Sequence, residues 1–349
     1  MLIPITVSPA KEIKAEQEIE RLTFESLGLL ESHIEEFLRR NISLLFDGDS
    51  DGGETLLIVG QQVINAKGGR NDLVAIDGEG NLVLIEIKRD ASDMASRAES
   101  LEFQAVRYAA SLATIGDVDV LVDRVYARYV KKWATEFGLG ELTSVEMARR
   151  KIDEFLKANG ATNSFNKRQR IVLVSSSFDK QTLSAVAWMN ANGIDVSCIS
   201  LNPIRSAGQA FLSAEMLIPA RKIEDYYIEI RDGASASVDM ISGSTPSKAR
   251  TALPRMPKLM EWGIVQKGMA LRIKNYEDSA AVVQDAKTVR FKDKEMSFND
   301  WGQQVTGWSS ICIYDWATTP ENKTLTQLRA QRMEEEAGKS EQEARGQTN

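Results

Sequence analysis

One histidine, His33, and two cysteines, Cys198 and Cys312, are all that 349 residues hold of the side chains that most often ligate zinc. A histidine-cluster zinc site is excluded and a Ser-His-Asp triad is disfavoured, so acids must carry any metal. Two cysteines without paired spacing build no disulfide framework and point to a reducing, cytoplasmic setting. No apolar run approaches the roughly 18 residues of a membrane span. The start, Met1-Leu-Ile-Pro-Ile-Thr-Val, lacks the basic segment and long apolar stretch of a secretory leader. Positive charge is short as well: 43 Lys and Arg against 50 Asp and Glu leave a net −7. That balance argues against indiscriminate coating of nucleic acid, although a local basic groove or a metal can offset it.

What the chain does have is concentrated between Gly69 and Tyr108. Residues 72–76 and 82–88 are apolar, β-branched runs, and Asp77-Gly-Glu-Gly-Asn81 between them is turn chemistry. The pattern predicts a β-hairpin with a five-residue loop containing two glycines. If Ile76 faces Leu82, opposed positions sum to 158 and Asp72 lies across from Glu86. Opposed residues share a face with Cβ atoms roughly 5 Å apart, and Lys88 returns to that face two steps on. Leu73, Ala75, Val83, Ile85 and Ile87 fill one face while Val74, Ile76, Leu82 and Leu84 share the acidic one. Both faces therefore read as buried, where charge needs a partner or a metal.

Two opposed carboxylates on such a face repel unless a cation lies between them, and a hard, oxygen-liganded ion such as Mg²⁺ suits them. Lys88 beside it could orient or deprotonate a water, or stabilise charge building on a phosphate. Downstream, Ala98, Leu101, Ala105, Tyr108 and Leu112 form a helical stripe with Gln104 on its edge. That glutamine is placed to be satisfied by backbone, or to hold the lysine or the attacking water.

The full set, D-x13-E-x-K followed by Q-x3-Y, resembles the PD-(D/E)xK nuclease superfamily. GRNDLVAIDGEGNLVLIEIKRD is similar to the branch that includes the mismatch-type endonucleases of archaea and actinobacteria, and the likeness covers roughly residues 20–218. It implies a restriction-endonuclease-like fold, a mixed β-sheet flanked by helices, and Mg²⁺- or Mn²⁺-dependent hydrolysis of DNA. Asp72 and Glu86 match the metal-binding acids, with the Ile87 carbonyl as a further ligand. Lys88 matches the catalytic lysine, and Gln104 with Tyr108 the accessory pair. A helix before the hairpin supplies one more acid, for which Glu31 and Glu35 both stand on one face; Ser32-His-Ile-Glu35 also reads as a capping box.

Around this centre, residues 9–46 read as helical with a break near Gly28, Asp47 to Gly53 as an acidic loop, and Leu56 to Ile64 as the first strand. Arg70, expected across from Lys88, has two readings: a phosphate contact or a salt bridge within the site. Residues 117–168 read as a helical insertion, with Lys131, Lys132, Arg149, Arg150 and Lys151 as a DNA-facing surface or solvated helix faces. A strand, a helix from Asp179 and a strand from Asp195 complete a mixed αβ domain over residues 1–220.

Residues 221–255 are Ser/Gly/Ala-rich and read as a linker. Residues 256–332 then form a small α+β domain, with twelve Lys/Arg against nine Asp/Glu between Arg255 and Arg332. Gly268 with Leu271, Ser297 to Trp301, Gly307-Trp308, Trp316 and Leu325-x2-Leu-Arg329 resemble the restriction enzyme and adenine methylase associated (RAMA) domain. That resemblance implies recognition of DNA, including modified bases. Trp301, Trp308 and Trp316 read either as a stacking surface for a base or as core, and Arg329 as a DNA contact. Residues 333–349 read as a disordered tail or a short frayed helix.

The reading that follows is a cytoplasmic, metal-dependent DNA endonuclease of restriction or anti-phage defence. Its expected partners are DNA, including modified or phage DNA, a second copy of the chain and defence-system proteins, with no membrane. The rivals are a mismatch or repair endonuclease, and a non-cutting DNA-binding subunit of a larger defence complex.

Overall fold

A computed structural model describes residues 5–9, 11–15, 19–46, 53–64, 68–90, 99–219 and 253–346. Contacts divide the chain into two units, Met1–Gly48 with Ile58–Ala249, and Asp49–Leu57 with Arg250–Asn349. The expected linker falls almost wholly on residues outside those described, as does most of the acidic loop. No helix among the described residues is long and apolar enough to cross a membrane.

The first unit opens with β1 (Ile5–Val7) and β2 (Ile13–Ala15), an antiparallel pair of their own. β3 (Glu20–Arg21) then joins the main sheet by pairing with Ile204 and Arg205. Residues 9–30 were expected as helix; the described ones hold β2, β3 and a 3₁₀ turn instead, and in β3 pairing to a distant strand overrides a weak, intermittent apolar stripe. Gly28, at φ +66°, ends a short 3₁₀ turn, and only then does α1 (Glu31–Arg40) begin.

β4 (Leu56–Ile64), β5 (Arg70–Asp77) and β6 (Leu82–Lys88) follow, then α2 (Leu101–Leu112). A broken helical stretch over Val118–Phe137, with a π turn at Val122–Tyr126, leads to α3 (Ser144–Ala158). This is the expected helical insertion. β7 (Gln169–Ser175), α4 (Lys180–Ala191), β8 (Asp195–Ser206) and β9 (Gln209–Ile218) complete the unit. The seven-stranded sheet runs β3-β8-β7-β6-β5-β4, with β9 on the other side of β8. β6 is antiparallel to β5 and parallel to β7, and β7 is parallel to β8, so the sheet is mixed.

The β5–β6 register is Leu73↔Ile85 through Ile76↔Leu82, the expected one. The turn is fixed by Asp77, whose Oδ1 accepts the N–H groups of Glu79 and Asn81 at 3.0 and 2.9 Å. Gly80 takes φ +88° there, a value that suits glycine. Every residue of β6 is buried, since α1 lies against β5 and β6, and α2 against β6 and β7.

In the second unit, α5 (Met256–Glu261) precedes β10 (Ala270–Ile273), β11 (Ala281–Val283), β12 (Thr288–Phe291) and β13 (Lys294–Ser297). Then come α6 (Phe298–Thr306), α7 (Ile313–Trp316), β14 (Ala317–Thr318) and α8 (Leu325–Gly346). The sheet is wholly antiparallel in the order β13-β12-β11-β10-β14. Leu56, counted with this unit, exchanges backbone hydrogen bonds with Ser310, and Thr55 Oγ1 accepts the Cys312 N–H. α8 runs through the residues expected as a tail to Gly346. Strong helix formers and the Arg332 pairs with Glu335 and Glu336 favour that continuation.

Candidate active site

Four carboxylates and one lysine meet at the end of the β5–β6 hairpin remote from its turn. The ladder gives its last pair at Leu73↔Ile85, and beyond it the Asp72 side chain takes over: Oδ2 accepts the Ile87 N–H at 2.8 Å. Glu86 and Lys88, two apart in β6, lie on the same face as Asp72. The Lys88 ammonium is 3.0 Å from Glu86 Oε1, 3.5 Å from Asp72 Oδ2, 3.4 Å from Glu31 Oε1 and 2.6 Å from the Ile87 carbonyl, to which it donates. The structure thus brings together Asp72, Glu86, Lys88, Ile87 and Glu31 as oxygens gathered around a single cation.

Glu35 enters from one turn further along α1. The helix starts at Glu31, ahead of Ser32, and the Leu30 N–H is taken by His33 Nδ1 at 3.1 Å. The Ser32–Glu35 capping box is therefore not formed, because that earlier start carries Glu35 inward, to 3 % exposure. Its Oε2 accepts from Gln62 Nε2 at 2.5 Å, and the same amide donates to Asp72 Oδ1 at 3.2 Å. Glu31 touches the lysine directly, and Glu35 is tied to the cluster through Gln62.

Burial dominates the electrostatics. Glu86 is 1 % exposed, and desolvation, reinforced by the charge of Asp72, pushes its carboxyl up to about 8 against the pull of Lys88. Its Oε2 has no hydrogen-bond partner among the described residues. Burial likewise raises Glu35, with Asp72 adding to the effect and the Gln62 hydrogen bond opposing it. A groove of about 660 Å³ opens on Glu31 and Glu35; Gln61, Gln62, Arg89 and Lys132 also line it, whereas Asp72, Glu86 and Lys88 do not.

The remaining candidates are placed less uniformly. Gln104 donates to the Tyr108 hydroxyl at 3.0 Å, so the helical pair is formed, on the helix that packs over β6 and β7. Arg70 is exposed at the start of β5; the ladder stops short of it, so it is not paired across from Lys88. Of the insertion's basic residues, Arg149 pairs with Asp119 and Asp153 and Arg150 with Glu154, as solvated helix faces do. Lys132 is different: it donates to Gln61 Oε1 at 2.7 Å and lines the groove.

In the second unit, the stacking reading of the tryptophans gives way to the core reading. Trp301 is fully buried with its indole N–H on the Ser279 carbonyl at 2.9 Å. Trp308 and Trp316 are buried edge to face, with ring centroids 4.7 Å apart. Arg329 is buried over the Tyr314 ring, not presented to a ligand. Phe291, Phe298 and Tyr314 are buried in this unit as well. What its sheet exposes instead is Arg272 and Arg290, on β10 and β12. Alternation along those strands is the signal that would have found them. Gln62 carried no such signal.

Among the described residues no group of three His, Cys, Asp or Glu side chains is placed to hold a metal by itself. The donor set nevertheless fits a hard divalent ion, which binds through one or two carboxylates and keeps several waters. Asp72, Glu86 and the Ile87 carbonyl supply oxygens only, and the unpartnered Glu86 Oε2 is a buried acceptor still lacking a counterpart. No protein-family model, curated protein or solved structure matches this chain.

Proposed function

We propose that this chain is a metal-dependent DNA endonuclease hydrolysing phosphodiester bonds, acting in restriction or anti-phage defence. The observation that carries the reading is the gathering of Asp72, Glu86, Glu31 and the Ile87 carbonyl around the Lys88 ammonium, beside an orphaned Glu86 oxygen. Oxygens arranged to surround one positive charge suit Mg²⁺, with Mn²⁺ as a substitute. When bound, such an ion supplies Lewis acidity and positive charge beside the scissile phosphate.

The chain's own residues do the rest. Asp72 and Glu86 would hold the ion, with the Ile87 carbonyl and Glu31 as further oxygen donors. Lys88, beside them, would face the scissile phosphate. There it orients the attacking water and stabilises negative charge on the phosphoryl oxygens. Water adds to phosphorus, the bond to one ester oxygen breaks, and the departing oxygen takes a proton. Gln104 and Tyr108 support that lysine, while Lys132 and Arg89 at the groove receive the DNA backbone. The second unit selects the DNA, modified bases included, through its exposed sheet face with Arg272 and Arg290. The defence role rests on the resemblance of that unit to the RAMA domain.

The test is cleavage of plasmid and of modified phage DNA by wild type and Lys88→Ala, with Mg²⁺, Mn²⁺ or EDTA. Cutting is expected with either ion, is abolished by EDTA, and falls by orders of magnitude in Lys88→Ala. A wild-type chain that binds DNA yet cuts none of these substrates would replace this reading with that of a recognition subunit.

A further inference from the structure

Gln61 and Gln62 are consecutive in β4, and consecutive residues of a regular strand point to opposite faces. Here both amides reach α1: Gln61 Nε2 donates to Glu36 Oε2 at 3.4 Å and Gln62 Nε2 to Glu35 Oε2 at 2.5 Å. The reversal comes from Gln62, whose φ of +53° lies in the left-handed region that residues with a Cβ rarely adopt. Such a backbone is strained and persists only where the surroundings hold it, a situation that clusters at functional sites.

What holds it is a pair of carboxylates from two different elements. An amide NH₂ carries two hydrogens, and here they serve Glu35 of α1 and Asp72 Oδ1 of β5. Asp72 is thereby fixed at both ends, with Oδ1 on Gln62 and Oδ2 on the Ile87 N–H at 2.8 Å. Its carboxylate plane cannot rotate without breaking a bond, while each oxygen keeps a lone pair for a cation. A neutral donor is the suitable bridge. A lysine would place a competing positive charge at the ion site, and an apolar side chain would leave two buried carboxylates facing each other.

We infer that Gln62 is a positioning residue for the metal site, clamping Asp72 at the angle that presents it to a divalent ion and tying Glu35 into the same constellation. The inference rests on the nuclease reading above. Gln62 acts through the two acids.

The test is direct Mn²⁺ binding to the full-length chain, followed by electron paramagnetic resonance of the free ion, for wild type, Gln62→Gly and Gln62→Asn. Glycine adopts φ +53° without strain, and asparagine tolerates it better than most residues while falling one methylene short of the two acids. Both variants are expected to remain folded and to bind Mn²⁺ about 10- to 100-fold more weakly, the usual effect of removing a partner of a metal ligand. DNA cleavage should then fail at low Mn²⁺ and return at high Mn²⁺. Wild-type affinity in a folded Gln62→Gly chain overturns the inference alone, and so does unfolding of both variants, which makes the residue structural. A wild-type chain that binds no Mn²⁺ overturns the nuclease reading and this inference together.

Discussion

Glu86 sits in the middle strand of its sheet with one oxygen on Lys88 and the other on nothing. In the folded chain its carboxyl is pushed up to about 8 from an ordinary 4.5, so folding retains a proton that the unfolded chain releases. Between those two values the native state binds more protons, and stability falls as pH rises; below 4.5 and above about 8 this group adds no slope. Glu35 and Asp77, also raised by burial, act in the same direction, so the comparison that isolates Glu86 is with Glu86→Gln. In EDTA, melting temperatures taken from pH 4.5 to 8 should decline more steeply for wild type than for the variant; equal slopes would show that Glu86 is ionised throughout. At this scale the sequence was legible where chemistry and alternation coincide: Asp72, Glu86 and Lys88 fall on one face of a hairpin because β residues alternate. It was not legible for the acid on α1. Each residue turns a helix by 100°, and a start at Glu31 in place of Ser32 decides which acid faces the lysine. Gln62 was hidden because a left-handed φ breaks the alternation by which such a residue would be found.

β4 shows the same contrast over a whole element. Its limits, Leu56–Ile64, follow from an apolar run, but its neighbour does not. A Cβ on Gly60 would stand 2.5 Å from Val63 Cγ2 and 2.8 Å from Val125 Cγ1, so the strand meets the π turn at Val122–Tyr126 where only hydrogen fits. Gly60→Ala is therefore expected to destabilise the chain by about 1–3 kcal/mol through overpacking. Urea unfolding measures this, and a change near zero would mean that the π turn gives way freely. Hairpin and strand–helix–strand order were readable because their signals are local. The extended segments before α1 were not, because Glu20 and Arg21 gain their strand form from Ile204 and Arg205, some 180 residues away. The tryptophans stayed open between two readings for a related reason: an aromatic has the same sequence signature whether it stacks on a base or fills a core, and only burial separates the two.

Across the whole molecule, the division into units does not follow the chain. Residues 49–57 precede the β5–β6 hairpin in sequence yet are counted with residues 250–349. The Leu56 carbonyl accepts from Ser309 and Ser310, its N–H donates to Ser310, and Thr55 Oγ1 accepts from Cys312. Leu56 itself is fully buried. A fragment limited to residues 253–346 would lose these partners. Three backbone N–H groups and one carbonyl would turn to water, and the apolar surface that Leu56 covers would be bared. Burying a leucine contributes about 1.5–3 kcal/mol and each hydrogen bond about 0.5–1.5 kcal/mol net. For a unit of this size such a loss is a large part of total stability. The fragment is expected to melt well below the corresponding transition of the full chain in scanning calorimetry, and adding residues 53–57 through a short linker should raise it again. A fragment as stable as the full chain's second unit would show that residues 53–57 only rest on a fold complete without them. The recovery would instead establish that a segment ahead of the hairpin is part of the second unit, which no reading of contiguous sequence would assign to it.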